Sequence, residues 1–223
     1  MTKQLKFSIL LLLIISLVTP AFTAAPDSIP VTPGGDGELL ISRPAGDSLS
    51  LTAFASILPQ DGSASIPVGV YVKDILAFQI FAQPTSNPGY VTSQPGAVSL
   101  FGLATQSGTT GLIAHSYLAG QSFFDLSQGQ HVVVVMADGS RLHYRVSSVR
   151  RLQALSPWSP LSNFVDLDIE GEILSASQVF NQVYQGSNQV VFQTCIELED
   201  NPVWGRLFVT AEPINPYPYW SGW

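Results

Sequence analysis

Charge, cysteine and long apolar runs are all scarce in this sequence, and each scarcity excludes something. Asp, Glu, Lys and Arg together make up 11% of 223 residues, against 46% hydrophobic residues. Chains that stay disordered are rich in charge and poor in apolar side chains, so this balance implies an ordered, well-buried core. The few charges are mostly acidic, giving a net charge of −7. No basic stripe exists to neutralise phosphates, which argues against nucleic acid as a partner. Arg141, Arg145, Arg150 and Arg151 come nearest to a basic cluster and read as a solvated strand face. With one cysteine, three histidines and no His-x-x-x-His or Cys-x-x-Cys pair, the sequence argues against a zinc site. Internal repeats and long helical periodicity are absent as well.

Only one stretch is apolar enough to concern a membrane. Lys3 and Lys6 precede the apolar run from Phe7 to Val18, and Pro20 then leads into the small residues Ala21, Thr23, Ala24 and Ala25. This is the three-part layout of a secretory signal. The run is shorter than the roughly 20 residues of a spanning helix. Residues 1–25 are therefore expected to be a signal peptide or an N-terminal membrane anchor, and the protein is expected to be exported. Membrane contact is expected through this segment alone. Residues from Ala25 to about Gly37 are rich in Pro, Gly, Ser and Asp and read as a linker.

Beyond the linker, short apolar or alternating runs recur between turn residues, the pattern of an all-β domain. The expected strands are Glu38–Ile41, Leu49–Phe54, Val68–Val72, Ala77–Phe81, Thr110–Ala114, His131–Met136, Arg141–Val149, Gln189–Thr194 and Arg206–Ala211. Asp138-Gly139 between two of them marks a hairpin. Ser122–Leu126 suggests a turn or short helix, and Ser175–Val183 one short helix. A closed β-barrel follows, because closure hides strand edges. The stretch from about Leu152 to Asn188 is the least regular; it either walls a groove or is a surface excursion.

The residues that carry chemistry are few. Cys195 ends the expected strand Gln189–Cys195, and in an exported chain an unpaired cysteine is either a reactive thiol or a small buried hydrophobe. His115 ends the apolar run Gly111-Leu112-Ile113-Ala114, where it can act as general acid and general base. Arg206 opens an apolar strand, separated from the cysteine strand by an expected loop Ile196–Gly205. Its guanidinium would hold an oxyanion, or else pair with Glu197, Glu199 or Asp200. A thiol, a base and an oxyanion donor are what covalent acyl transfer requires. His131 and His143 are weaker alternatives, one opening a strand and the other alternating with Arg141 and Arg145.

The order His, Cys, Arg, with Thr194 directly before Cys195 and Arg206 opening an apolar strand, resembles the sortases. Gly111–Ser116 is similar to that family's histidine segment. Ser122–Leu126, Gly129, Val132–Val135, Asp138-Gly139 and Tyr144-Arg145-Val146 are similar to the region downstream of that histidine in sortases, and Gly205–Glu212 to the family's arginine strand. The resemblance runs from about Ile66 to Pro213. It implies an all-β fold, a closed eight-stranded sortase-type β-barrel with short helices in the connections. The implied layout is a linker and N-terminal extension at 26–65, a catalytic domain at 66–213 and a Pro/aromatic tail at 214–223.

The implied activity is that of a cysteine transpeptidase, a hydrolase-type enzyme acting on peptide bonds. Cys195 would form a thioacyl-enzyme, His115 would shuttle protons and Arg206 would stabilise the oxyanion, with Thr194 contacting substrate near the thiol. The implied partners are a protein with a C-terminal sorting signal and an amine acceptor in cell wall or pilin, with water as acceptor giving proteolysis. No cofactor is expected. Some sortases use calcium, and Asp166, Asp168, Glu170 and Glu172 alternate so that a strand would set four carboxylates on one face. Oxygen clusters of this kind bind Ca²⁺, but a solvated acidic face is the expectation. Two rivals remain: a secreted β-barrel binding domain with an inert thiol, and a degenerate sortase without turnover. The L,D-transpeptidases also run His before Cys, but they place Gly before the cysteine and Arg two after, where this sequence has Thr194 and Glu197.

Overall fold

A computed structural model describes residues 49–186 and 188–214. The N-terminal apolar segment, the expected strand Glu38–Ile41 and the last nine residues lie outside this range. In chain order the elements are α1 (Leu51–Ser56), β1 (Pro67–Val72), β2 (Leu76–Ala82), β3 (Ala97–Leu100), α2 (Gly102–Gln106), β4 (Thr110–Ile113) and a 3-10 helix (Ala119–Asp125). Next come β5 (His131–Met136), β6 (Arg141–Ala154), β7 (Phe164–Asp166), β8 (Ile173–Leu174), α3 (Ala176–Tyr184), β9 (Val190–Leu198) and β10 (Asn201–Pro213).

Strand pairing closes the barrel. The order β10-β9-β4-β3-β2-β1-β5-β6 returns on itself because β10 also pairs with β6, so eight strands form the ring. The remaining two, β7 and β8, extend from β6 as a flap. Closure depends on the length of β6, which pairs with β5 over Arg141–Arg145 and with β10 over Tyr144–Gln153. A bulge at Ser147, between the pairs Thr210↔Ser148 and Ala211↔Val146, bends β6 around this corner. Ser147 Oγ donates to the Thr210 carbonyl across the bend.

Asp138-Gly139 makes the expected hairpin. Gly139 takes φ +82° and donates to the Met136 carbonyl, while Asp138 accepts from the Ser140 amide. A left-handed residue after a tight turn is the role glycine fills without steric cost. The all-valine run Val132–Val135 lacks alternation because both faces of β5 are covered. Val132 and Val134 face the barrel interior, and Val133 and Val135 pack under α1.

Three expectations fail. Leu49–Phe54 is not a strand: Ser50 caps α1 by accepting from the Ala53 amide, and Phe54, Ala55 and Leu58 bury against β1 and β5. Burying a Phe or Leu side chain stabilises by about 1.5–3 kcal/mol. Ile196–Gly205 is not a loop, because β9 and β10 run through it to a tight turn at Glu199, whose φ is +53°. The acidic residues do not share a strand face, because residues 167–172 form the turn between β7 and β8. The stretch read as least regular holds the end of β6, the flap and α3. Ser175 and Gln178 form a capping box at the start of α3.

Candidate active site

The alternation along β9 sorts its residues between two environments. Val190 and Phe192 belong to the barrel interior with Leu112, Leu207 and Val209, and Ile196 packs against that cluster. Val191 lies on the opposite, outer face with Ile113 and Phe208, under Tyr184 of α3. Gln193 and Cys195 continue the outer series. On β10, Arg206 is the direct partner of Cys195, and Phe208 that of Gln193. On the other side, β4 runs parallel to β9 with Ile113 opposite Gln193, and the Ala114 amide donates to the Gln193 carbonyl. His115 therefore stands two residues beyond Ile113, the same step that separates Cys195 from Gln193. The register thus pairs Cys195 with Arg206 on the outer face and sets His115 just past the end of the neighbouring strand β4. Adjacent strands lie about 4.8 Å apart.

Each of the three has a distinct setting. Cys195 is half-buried, a free thiol at the edge of the covered face. His115 is half-buried and stacks on Tyr117, with ring centroids 5.2 Å apart. Burial holds its pKa below the usual histidine value, and a hydrogen bond to the Val91 backbone works the other way. Arg206 is 1% exposed. Its Nη1 donates to the carbonyls of Val203 (3.0 Å) and Gly205 (2.7 Å). No ion pair joins Arg206 to Glu197, Glu199 or Asp200 among the described residues.

Thr194 points the other way. It is buried on the interior face, and its Oγ1 donates to the Ala114 carbonyl at 2.9 Å. The next carbonyl, that of His115, accepts from the amides of Leu118 and Gly120, which open the 3-10 helix. Gly120 is pressed into this junction: a Cβ there would strike Thr194 Oγ1 and come within 2.6 Å of the His115 carbonyl oxygen. Thr194 and Gly120 thus fix the backbone from which the His115 side chain projects.

Sequence reading missed the pair behind the thiol. The Tyr184 hydroxyl donates to Gln193 Oε1. Tyr184 is buried among Phe101, Phe180 and Phe208, and burial pushes its phenol far up, so it stays a donor. The bond fixes the Gln193 amide on the outer face, two residues before Cys195. The signal was faint: Tyr184 ends a short amphipathic helix and looks like core.

The basic and acidic clusters meet each other. Arg150 binds Asp166 at 2.5 Å and Glu172 at 3.4 Å, and Arg151 binds Asp168 at 2.5 Å. Asp166 Oδ1 also accepts from the amides of Asp168 and Ile169, closing the turn. Arg141, Arg145 and Arg151 are exposed, as a solvated face requires, with Arg151 ion-paired there; Arg150 departs from that reading, because it is half-buried against the buried Asp166. Among the described residues no group of three or more metal-ligating side chains converges. His131 and His143 stack on each other away from Cys195, with Nε2 and Nδ1 3.0 Å apart.

No family model matches the chain, and no curated protein matches it. Solved structures that it is similar to are sortases. Sortase C-1 from Actinomyces oris shares 16% identity at a TM-score of 0.45, covering 67% of this chain and 73% of that one. Sortase A from Listeria monocytogenes shares 12% at 0.42, covering 67% and 88%. Sortase C from Clostridium perfringens SM101 shares 11% at 0.42, covering 70% and 73%. At identities of 11–16% none of these likenesses assigns a residue its role.

Proposed function

We propose that this protein is a sortase-like cysteine transpeptidase, exported and acting at the cell surface. The observation that supports the reading is the register of β4, β9 and β10, which pairs the half-buried Cys195 with Arg206 and sets Ile113, two residues before His115, opposite Gln193, two residues before Cys195. Neutral His115 takes the Cys195 proton as sulfur adds to a peptide carbonyl. The oxyanion that forms is held by Arg206. On collapse the C–N bond breaks, the imidazolium gives its proton to the departing amine, and a thioester remains on Cys195. An incoming amine then adds to the thioester while His115 takes its proton, the C–S bond breaks and the thiol is regenerated. Water in place of the amine gives hydrolysis. Thr194 serves this chemistry through the Ala114 carbonyl, as a positioning residue. The donor is read as a protein carrying a C-terminal sorting signal, and the acceptor as an amine of cell wall or pilin. The N-terminal segment supports export, and among the described residues no helix is long and apolar enough to cross a membrane.

The test is acyl-enzyme trapping. The purified protein is incubated with a pool of Leu-Pro-x-Thr-Gly-like peptides and its intact mass is read, beside Cys195→Ala and His115→Ala. A peptide-sized adduct on the wild type, absent from Cys195→Ala, is the expected result. Absence of an adduct with every peptide, together with a thiol that resists alkylation until the protein unfolds, would overturn the reading.

A further inference from the structure

Beyond the thiol, the hairpin of β9 and β10 ends in an open pocket of about 430 Å³ lined by Trp158, Leu198, Glu199, Asp200, Asn201 and Trp204. Leu198 stands three residues past Cys195, about 10 Å away at a strand rise of roughly 3.3 Å per residue. The pocket owes its shape to an irregular rung. Gly205 pairs with Ile196 and Asn201 with Leu198, so the three residues 202–204 stand against Glu197 alone. Such bulges re-aim side chains. This one carries Trp204, and the carbonyls on either side of that residue, Val203 and Gly205, are the two that Arg206 Nη1 holds. The opposite wall is Trp158, 56% exposed, on the loop after β6 that also exposes Leu155 and Leu161.

The chemistry of the lining selects a ligand. Indole faces attract cations, and the lining holds two indoles and two carboxylates with no lysine or arginine. Exposed aliphatic side chains on the adjoining loop would cover an alkyl stem. We infer that this pocket is a specificity subsite for a lysine or arginine side chain of a peptide, held about 10 Å from the Cys195 rung. The inference rests on the acyl-transfer reading for its meaning, but the binding it requires does not depend on turnover. Because Arg206 holds the bulge that carries Trp204, a filled pocket also steadies the guanidinium beside the thiol.

The experiment separates the two readings by using the full chain with Cys195→Ala, which cannot react. The indole N–H resonances of Trp158 and Trp204, assigned with Trp158→Phe and Trp204→Phe, are followed during titration with acetyl-Gly-Lys-Gly-amide. The arginine and norleucine counterparts and N-acetylglucosamine are titrated in parallel. The lysine and arginine peptides are expected to shift both resonances at least ten-fold more tightly than the norleucine peptide. That advantage is expected to disappear in Glu199→Gln/Asp200→Asn, whose exposed changes leave the barrel intact. Equal response to norleucine, response to the sugar alone, or unchanged affinity in the double variant would each overturn the inference. If binding meets expectation while peptides never acylate Cys195 in the wild type, the pocket stands and the transpeptidase reading falls.

Discussion

Arg150 and Arg206 lie on the paired strands β6 and β10, two rungs apart on the same face, since Arg150 opposes Phe208 and Leu152 opposes Arg206. Their partners differ completely. Arg150 meets two carboxylates and the Gln182 amide oxygen, so its charge is cancelled and it ties the β7–β8 turn and α3 to the barrel. Arg206 is more deeply buried yet donates only to backbone carbonyls among the described residues. Carbonyls satisfy hydrogen-bond geometry without neutralising a full charge, and burying an uncancelled charge is costly. A fold gains nothing in stability from that arrangement. On the proposed acyl-transfer reading it serves the reaction instead, because a fixed, dry cation beside a nucleophile favours the negative charge that develops only in the transition state.

Substitution breaks the comparison in opposite ways. Arg206→Gln is expected to lower the rate of acyl-enzyme formation by about 10²–10³ while the barrel still folds, the cost of losing one oxyanion donor. Single-turnover mass spectrometry beside thermal unfolding reads both. Arg150→Gln is expected to do the reverse. It leaves the Asp166 carboxylate, whose side chain is fully buried, without its cation, and removing one partner of a buried pair costs about 3 kcal/mol. Denaturant unfolding should report that loss, with acylation by peptide unchanged on the folded fraction. Equal effects of both variants on rate and stability would erase the distinction.

The sequence displayed one arginine's place in the fold better than the other's. Arg206 was legible because Thr194-Cys195 and Gly205-Arg206 are short, local signals on strong strands, and antiparallel strands at that spacing meet. Arg150 was misread because its partners are remote and lie in a turn. Alternation of Asp166, Asp168, Glu170 and Glu172 has the period of a strand, and nothing local says that the backbone turns there. The same limit hid β3, β7 and β8, which have four, three and two residues, too few to display a period. It also hid α1, whose six residues are too few to display a helical period until the Ser50 cap is seen. Pro202 and the acidic turn disguised the first half of β10 as a loop. Closure was expected on the general ground that it hides strand edges, but the strands that close the ring were not legible, since the β6–β10 pairing joins segments some sixty residues apart, such as Arg150 and Phe208.

A smaller effect sharpens the contrast by moving the base and leaving the cation in place. Gly120→Ala sets a methyl group against Thr194 Oγ1 and the His115 carbonyl. The nearest atoms include backbone, so the start of the 3-10 helix must shift, at a cost of about 1–3 kcal/mol. His115 moves with its carbonyl, whereas Arg206, held from the hairpin side, does not. Peptide acylation should therefore fall more than the rate of alkylation by a small thiol reagent, which needs no proton delivery to a leaving amine. Parallel loss of both rates would mean that the whole face had moved.

The smallest effect concerns protonation of His115. Burial lowers its pKa in the folded protein below the ordinary value of 6.5, so the folded state keeps the imidazole neutral where the unfolded chain would protonate it. The contribution to stability is complete above pH 6.5 and is lost as pH falls from there through the folded pKa. His131 is lowered by burial and by the neighbouring His143 and Arg145, and adds a slope of the same sign. His115→Gln should therefore reduce the acid-side loss of stability between pH 7 and 5 without abolishing it, as read from denaturant midpoints. The same sign governs catalysis. The second-order rate of acyl-enzyme formation should hold constant from neutrality down to about pH 6.5 and decline only below it, because the free protein's neutral imidazole is the base. A decline that begins above pH 6.5 would contradict a base depressed by burial. Stability that falls identically with and without His115 would instead mean that His115 adds nothing to the acid slope and that His131 is among the groups that set it.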